Sequence, residues 1–282
     1  MARPLRIEYP GAFYHITSRG NAKGYIFEDD KDREYFISLL DDVVKRFNWL
    51  IYAYCLMENH WHLLIETVEG NLSKGMRHIN GVYTQHFNRR HNRVGHVLQG
   101  RFKSILVDRE SHFLELCRYV VLNPVRAKII NLVHQYNWSS YRATAGLEDE
   151  PDFLAVDEVL SQFNLKRDEA VMAYREFVDA GIEASSPWEN LKGQCILGAK
   201  EFQDRLKPAI KDKSALKEIT RIERFALRPS LEDIFIEAND TGKRKRNELI
   251  RKAYLEYGYT LSEIGGYLGL HYTTISNIIK RN

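Results

Sequence analysis

Hydrophobic and polar residues follow two distinct periods along the first half of the chain. Segments 12–18, 49–56 and 59–67 are rich in aromatic and β-branched residues, which predicts three strands. The short polar stretch 57–59 predicts a hairpin turn between the second and third strands. The first half of the chain is therefore expected to contain a sheet.

Apolar residues at helical spacing occupy the intervals between these strands. In the first interval, Asp29 or Asp30 can cap a helix whose apolar positions at helical spacing are Phe36, Leu39, Leu40, Val43 and Phe47. After the third strand, Asn71 or Ser73 can cap a helix with Leu72, Met76, Ile79, Tyr83 and Phe87 on its inner face. Both patterns predict amphipathic helices that pack on the sheet.

Segment 95–108 alternates loosely and predicts a fourth strand that carries Arg101 and Lys103 on one face. Ser111 can begin the helix that follows. The order β-α-β-β-α-β, followed by a helix, is the split βαβ or ferredoxin-like arrangement. We therefore predict an α+β fold, a ferredoxin-like antiparallel sheet with helices on one face and the other face open to a substrate.

The remainder of the chain predicts helices only. Residues 1–145 are expected to form the first domain, 146–228 an acidic helical connector, and 229–282 a helical module. In that module Thr260 caps 261–268, Gly269 makes a tight turn and 272–280 forms the last helix, which is a helix-turn-helix pattern. The residues predicted to face out from the last helix and its turn are His271, Thr273, Thr274, Asn277 and Lys280.

Charge is distributed unevenly over the 282 residues, although the net charge is only +3. Residues 71–130 contain eleven Lys/Arg and three Asp/Glu (11 − 3 = +8), whereas residues 148–190 contain three Lys/Arg and twelve Asp/Glu (3 − 12 = −9). Residues 241–282 contain eight Lys/Arg and three Asp/Glu (8 − 3 = +5). Two basic blocks separated by an acidic one indicate two surfaces for a polyanion. Generic helical hairpins share the helix-turn-helix pattern, but the basic run Lys243, Arg244, Lys245 and Arg246 favours DNA.

The composition is that of an ordinary globular protein, with 44% hydrophobic and 28% charged residues. No apolar run reaches membrane-spanning length, and the N-terminus lacks the apolar core of a secretory signal. The three cysteines are scattered, which argues against a disulfide framework or a cysteine zinc site. A cytoplasmic protein is expected.

Two histidines of the third strand, His60 and His62, are one pleat apart and therefore point to the same face, while Trp61 points to the other. Two neutral imidazoles at this spacing can bind one divalent ion. Histidine pairs on strands also occur without a metal, so polar residues that merely line a strand are the alternative.

Tyr119 and Asn123 are four residues apart in the helix after the fourth strand, on one face together with Glu115. One interpretation is an amphipathic tyrosine where a helix meets a sheet. The other is a nucleophile next to a metal: a phenol has a pKa near 10, so a divalent cation that polarises the scissile phosphate would compensate for its weakness. The carbonyl oxygen of Asn123 could join the ligand set, with Mg²⁺ or Mn²⁺ as the ion. Tyr83 and Tyr141 compete for the role of nucleophile, but only Tyr119 shares a helix face with a candidate ligand.

The motif His60-Trp61-His62 resembles the His-hydrophobic-His motif of the HUH endonucleases. The segment 117–127 (Cys-Arg-Tyr-Val-Val-Leu-Asn-Pro-Val-Arg-Ala) is similar to the tyrosine helix of single-tyrosine transposases, above all the REP-associated tyrosine transposases. The resemblance covers roughly residues 6–141. It implies that Tyr119 attacks a DNA phosphodiester and leaves a 5′-phosphotyrosine and a free 3′-OH. It also implies that His60 and His62 bind the metal and that Asn123 occupies the position of the third ligand.

The C-terminal segments 260–265 and 271–275 resemble the DNA-binding domain of the replication initiator DnaA. The expected partners are therefore single-stranded or hairpin DNA for the first domain and duplex DNA for the last, with dimerisation left open. The cations expected to contact DNA in the first domain are Arg19, Arg89, Arg90, Arg101, Lys103 and Arg126. A non-catalytic regulator that binds DNA repeats is the alternative function. A phosphoesterase using metal-bound water would need more carboxylate ligands near the histidines than Glu58 supplies.

Overall fold

The computed structural model describes residues 5–213, 218–236 and 243–280, with the side chains of 211–213 and 280 excepted. The chain divides into two compact units. The N-terminal unit comprises Arg6–Leu191 and Cys195–Asp204, and the C-terminal unit is formed mainly by residues from Arg205 onward. Among the described residues, no helix is both long and apolar enough to cross a membrane.

A mixed sheet of five strands forms the centre of the N-terminal unit, in the order β2-β3-β1-β4-β5. The strands are β1 Ala12–Arg19, β2 Trp49–Met57, β3 His60–Thr67, β4 Lys103–Val107 and β5 Ile196–Leu197. The first four pair antiparallel, and the short β5 pairs parallel to β4. This strand order, with one helix after β1 and one after β3, confirms the predicted α+β, ferredoxin-like fold.

The helices of the described residues vary widely in length. Their bounds are α1 Asp30–Phe47, α2 Leu72–Arg90, α3 Arg109–Val121, α4 Asn123–Arg126, α5 Tyr141–Thr144, α6 Val156–Leu160, α7 Arg167–Asp179, α8 Lys200–Lys213, α9 Arg221–Arg224, α10 Leu231–Phe235, α11 Lys243–Leu255, α12 Leu261–Leu268 and α13 Tyr272–Lys280. Two 3₁₀ turns span Asn21–Lys23 and Val133–Gln135. The acidic stretch 148–190, which contains α6 and α7, lies in the N-terminal unit.

Helices α1 and α2 cover one face of the sheet. As predicted, Asp29 caps α1 by accepting a hydrogen bond from the backbone of Asp32, which satisfies one of the free N–H groups at the helix start. The ring of Phe36 in α1 lies 5.5 Å from that of Trp61, so Trp61 points into the helix layer. His60 and His62 consequently point to the opposite face.

That opposite face is partly covered, whereas the sequence led us to expect an open face. Phe113 of α3 packs at 5.6 Å from the ring of Phe13 in β1 and at 4.9 Å from that of Tyr52 in β2. Residues of β2 are buried almost throughout, which requires cover on both sides of the strand. The apolar run Trp49–Met57 indicated this cover, because a strand with one solvated face alternates instead.

The fourth strand is shorter than predicted, with five residues instead of the segment 95–108. Gly95 and Gly100 both have positive φ, at 95° and 65°, which turns the backbone away from an extended path. Arg101 therefore precedes β4, and only Lys103 of the predicted cationic pair lies in the strand. The following helix begins at Arg109, two residues before the predicted start at Ser111.

The C-terminal unit has a core of its own, formed by buried residues of α10 to α13 and the segment between α11 and α12. Thr260 caps α12 by accepting a hydrogen bond from the backbone of Glu263, whose carboxylate accepts one from the backbone of Thr260. Gly269 ends α12 in the left-handed conformation at φ 64°. The two last helices thus have the bounds that the sequence predicted.

Candidate active site

The two histidines of β3 face the same side of the sheet, with ring centroids 5.1 Å apart. His62 is buried, and His60, the first residue of the strand, is half-buried. Their backbone positions are fixed because β3 is a central strand, paired to β2 and β1. The structure thus brings the predicted histidine pair together.

Burial keeps both imidazoles neutral. It lowers the pKa of His62 well below the ordinary value, and the neighbouring rings of His15 and His60 lower it further. Burial and the positive charge of Arg19 lower the pKa of His60. A neutral imidazole has one nitrogen with a free lone pair, which is the form that ligates a metal.

In each histidine the Nδ1 atom is engaged by a neighbouring side chain. The Nδ1 of His60 lies 2.7 Å from Oδ1 of Asn59, and the Nδ1 of His62 lies 3.0 Å from Nε2 of His15. The Nε2 of His62 is buried and has no hydrogen-bond partner among the described residues. An unpaired buried polar atom is costly, and a bound cation would compensate it, so the pair fits a divalent metal.

The ring of Tyr119 lies next to the histidines, on α3. Its centroid is 6.3 Å from that of His62 and 6.0 Å from that of His15, in both cases edge to face. The guanidinium carbon of Arg126 lies 5.1 Å from the same ring centroid, and the indole of Trp188 lies at 5.2 Å. Tyr119 is half-buried. Tyr119, one of the three tyrosines considered as nucleophile, is therefore adjacent to the histidine pair.

The sequence analysis placed Tyr119 and Asn123 in one helix, but the structure places them in two. Helix α3 ends at Val121, and Asn123 begins the short helix α4, with Pro124 as its second residue. The Nδ2 of Asn123 donates to the carbonyls of Tyr119 at 2.9 Å and of Val120 at 3.2 Å. These bonds leave its Oδ1 as the atom that could ligate an ion. Among the described residues, no group of three or more His, Cys, Asp or Glu side chains could hold a metal, so an ion here would depend on the two histidines and on such neutral oxygens.

Exposed cations border the histidines on the sheet. Arg19 of β1 is directly opposite His60. Thr17 is opposite both His62 and Lys103, so Lys103 lies on the same face, two strands away from His62. Arg19 and Lys103 are both exposed. The sheet therefore carries positive charge on β1 and β4, to one side of the histidine pair.

The other cations predicted to contact DNA in this unit have different surroundings. Arg126 donates to the carbonyls of Gly181 and Ala184, at 3.2 and 3.5 Å, in addition to its contact with Tyr119. Arg90 forms ion pairs with Asp29 and Asp32, which supply a structural partner for its charge. Arg101 is exposed ahead of β4, and Arg89 is exposed near the end of α2.

Residues 9–123 match the family model described as "Transposase IS200 like". This segment includes His60, His62, Tyr119 and Asn123. Residues 9–123 are therefore similar to IS200-like transposases. The chain matches no curated protein.

Two solved structures resemble the chain. One is a REP-associated tyrosine transposase bound to a REP hairpin, with 16% identity over 55% of this chain and 92% of that one, at a TM-score of 0.45. The other is a candidate transposase from Deinococcus radiodurans R1, with 13% identity over 42% of this chain and 95% of that one, at a TM-score of 0.31.

Sequence reasoning missed three residues of the candidate site and its surroundings. The sequence predicts His15 only as part of a strand, but the register of β1 with β3 places it on the histidine face, together with Phe13 and Thr17. Asn59 lies in the polar stretch that predicts the hairpin turn. Trp188 comes from the acidic stretch, to which no chemistry was assigned, and lies 4.9 Å from the ring of His15. No local sequence pattern indicates that contact.

The candidate DNA-binding residues of the C-terminal unit are mainly at its surface. Residues 243–245 are exposed at the start of α11, and Arg246 is half-buried. His271, Thr273, Thr274 and Asn277 are exposed, and the Nδ1 of His271 lies 2.8 Å from the hydroxyl of Thr273. The side chain of Lys280 lies outside the described residues.

Proposed function

We propose that the chain is a metal-dependent transposase that cleaves and rejoins single-stranded or hairpin DNA, with Tyr119 as the nucleophile. The observation that carries this proposal is the position of the Tyr119 ring, 6.3 Å from the ring of the buried, neutral His62. The family of residues 9–123 supports the same class of reaction.

The residues proposed to hold a divalent ion, Mg²⁺ or Mn²⁺, are His60 and His62 through Nε2 and Asn123 through Oδ1. The ion would polarise the scissile phosphate and stabilise the charge that develops on it. Mixed nitrogen and oxygen ligands suit Mn²⁺ better than Mg²⁺, which prefers oxygen.

In the proposed cleavage step, the Tyr119 hydroxyl oxygen forms a bond to phosphorus and loses its proton, while the bond from phosphorus to the 3′-oxygen breaks. The 3′-oxygen takes a proton and leaves as a free 3′-OH, and the protein retains a 5′-phosphotyrosine. Rejoining reverses the step when a 3′-OH attacks that linkage. Arg19 and Lys103, exposed on the same face as the histidines, would bind the strand through its phosphates. A single strand leaves the phosphate accessible to a nucleophile on a sheet-packed helix, which favours single-stranded or hairpin DNA over duplex.

The C-terminal residues 229–282 are proposed to bind duplex DNA through α13. The exposed polar residues of this helix and the exposed cations of α11 support the proposal, because phosphate contacts and base contacts need these side-chain types. Within the predicted connector 146–228, the acidic stretch 148–190 belongs to the N-terminal unit, so the connection between the two activities is proposed to lie after it.

The test is a covalent adduct between the full chain and a pool of single-stranded and hairpin oligonucleotides, in the presence of Mn²⁺. A label at the 3′ end should stay with the protein on a denaturing gel, and a label at the 5′ end should not, since only the downstream fragment is attached through its 5′-phosphate. Tyr119→Phe removes a single oxygen and should abolish the adduct. Tyr25→Phe, at a site 60% exposed and outside the candidate site, is the matched control and should not affect it. An adduct at the normal rate in Tyr119→Phe would contradict the assignment.

A further inference from the structure

The hydrogen bonds of Asn59 define the tautomer of His60. The Nδ2 of Asn59 donates to the backbone carbonyl of Lys23 at 3.1 Å. Because a carbonyl only accepts, this bond orients the amide so that Oδ1 faces the Nδ1 of His60, 2.7 Å away. The Nδ1 of His60 must then carry the hydrogen, and its Nε2 has the free lone pair.

His62 has the same arrangement, but its partner is a second histidine. The Nε2 of His15 lies 3.0 Å from the Nδ1 of His62, and either nitrogen could donate. If His15 donates, the Nε2 of neutral His62 carries the hydrogen and cannot ligate a metal. If His62 donates, its Nε2 has the lone pair, as in His60. Only the second orientation gives two equivalent ligands.

We propose that His15 is a positioning residue that accepts a hydrogen bond from the Nδ1–H of His62 and so directs the His62 Nε2 lone pair to a divalent cation. Asn59 has the same role for His60. Partners of this kind, which bind the second nitrogen of a metal-ligating histidine, orient the ring and fix its tautomer. The inference rests on the metal site of the proposed function and adds the residues that prepare it.

The surroundings of His15 suit this role. The residue is buried at 4% exposure, and its strand β1 pairs along its whole length with β3, so its distance to His62 is fixed by the sheet. Trp188 covers its ring at 4.9 Å, and Tyr119 approaches it edge-on at 6.0 Å. His15 therefore cannot turn away without repacking the site, and its Nε2 stays directed at His62.

A calorimetric titration of the full chain with Mn²⁺ alone measures the metal affinity and tests the proposal without any DNA. His15→Phe keeps an aromatic ring but removes the acceptor, and we expect a loss of affinity of about 10- to 100-fold. His15→Gln offers a carbonyl oxygen near the position of Nε2 and should retain most of the affinity. Unfolding curves of both variants show whether they remain folded at the temperature of the titration.

The tautomer of His62 in the metal-free wild-type protein provides a measurement that needs no variant. Imidazole nitrogen NMR should show a hydrogen on Nδ1 and none on Nε2. A hydrogen on Nε2 would overturn the proposal, and so would wild-type Mn²⁺ affinity in His15→Phe. His62→Ala distinguishes the metal site from the role of His15. If this variant binds Mn²⁺ as well as the wild type, the metal site itself is wrong. If His62→Ala loses binding and His15→Phe does not, only the role of His15 is refuted.

Discussion

The guanidinium of Arg126 lies over the ring of Tyr119, 5.1 Å from its centroid, and also donates to the carbonyls of Gly181 and Ala184. One side chain thus contacts the candidate nucleophile and fixes the start of the segment that carries Trp188. Because a cation over an aromatic ring is attracted to its face, Arg126 restricts the orientation of the phenol.

We expect Arg126→Ala to slow adduct formation by about 3- to 30-fold, the rate equivalent of one cation–π contact. Single-turnover cleavage of a 3′-labelled oligonucleotide measures the rate. Arg118→Ala is the matched control, because the guanidinium of Arg118 packs on the ring of Phe177, 4.3 Å from its centroid, and donates to the Phe177 carbonyl. Equal slowing by both variants would show that the anchoring of the segment matters, and not the contact with Tyr119.

The buried histidines should make the stability of the N-terminal unit dependent on pH. Burial lowers the pKa of His15 to about 3, and that of His62 also lies well below its value in the unfolded chain, about 6.5. Below pH 6.5 the unfolded chain therefore binds protons that the folded chain does not. Stability is full above this pH and is lost as the pH falls, by about 1.4 kcal/mol per pH unit for each histidine.

Urea unfolding at several pH values between 5 and 7.5 measures this dependence, in a window above the titration of ordinary carboxylates. His15→Gln removes one buried titrating group and should lower the slope below pH 6.5 by the contribution of one histidine. His134→Gln is the control, at a histidine that is exposed. An unchanged slope in His15→Gln would mean that His15 is already protonated, or accessible to protons, in the folded protein.

Local patterns in the sequence predicted the sheet and the histidine pair, because both depend on alternation within a strand. The period of two placed His60 and His62 on one face, and the Asp29 cap and the apolar spacing placed α1. The remaining features depend on pairs distant in the chain. The contact between His15 and His62 spans 47 positions and follows only from the register of β1 with β3. The break between Tyr119 and Asn123 had a local signal in Pro124, which has no N–H to donate to the carbonyl of Val120.

Glycines of α2 provide a stability prediction with an internal control. A Cβ added at Gly75 would lie 2.1 Å from a ring atom of Trp49, which is 1% exposed and cannot move aside. Gly75→Ala should therefore destabilise the N-terminal unit by about 1–3 kcal/mol through overpacking. Gly81, in the same helix, has no heavy atom within 4 Å of such a Cβ, and Gly81→Ala should stabilise by up to about 1 kcal/mol through helix propensity. Chemical denaturation measures the free energy of unfolding of both variants. If Gly75→Ala leaves this free energy unchanged, α2 does not pack tightly on Trp49.

Duplex binding by the C-terminal unit should depend steeply on salt, because bound cations release the counterions of phosphates. The variant that replaces Lys243, Arg244 and Lys245 with Gln removes three exposed charges from the start of α11. If all three contact phosphates, the slope of log affinity against log salt should fall by about 2 to 3. Fluorescence anisotropy of the full chain with a labelled duplex measures this slope, and Lys31→Gln, which removes one exposed charge from α1, is the control. Asn277→Ala should instead weaken binding to a preferred duplex more than to random duplex, since an exposed carboxamide on α13 is suited to reading an adenine edge. A salt slope unaffected by the triple substitution would mean that α11 does not contact the duplex, and the basic run would then need another explanation.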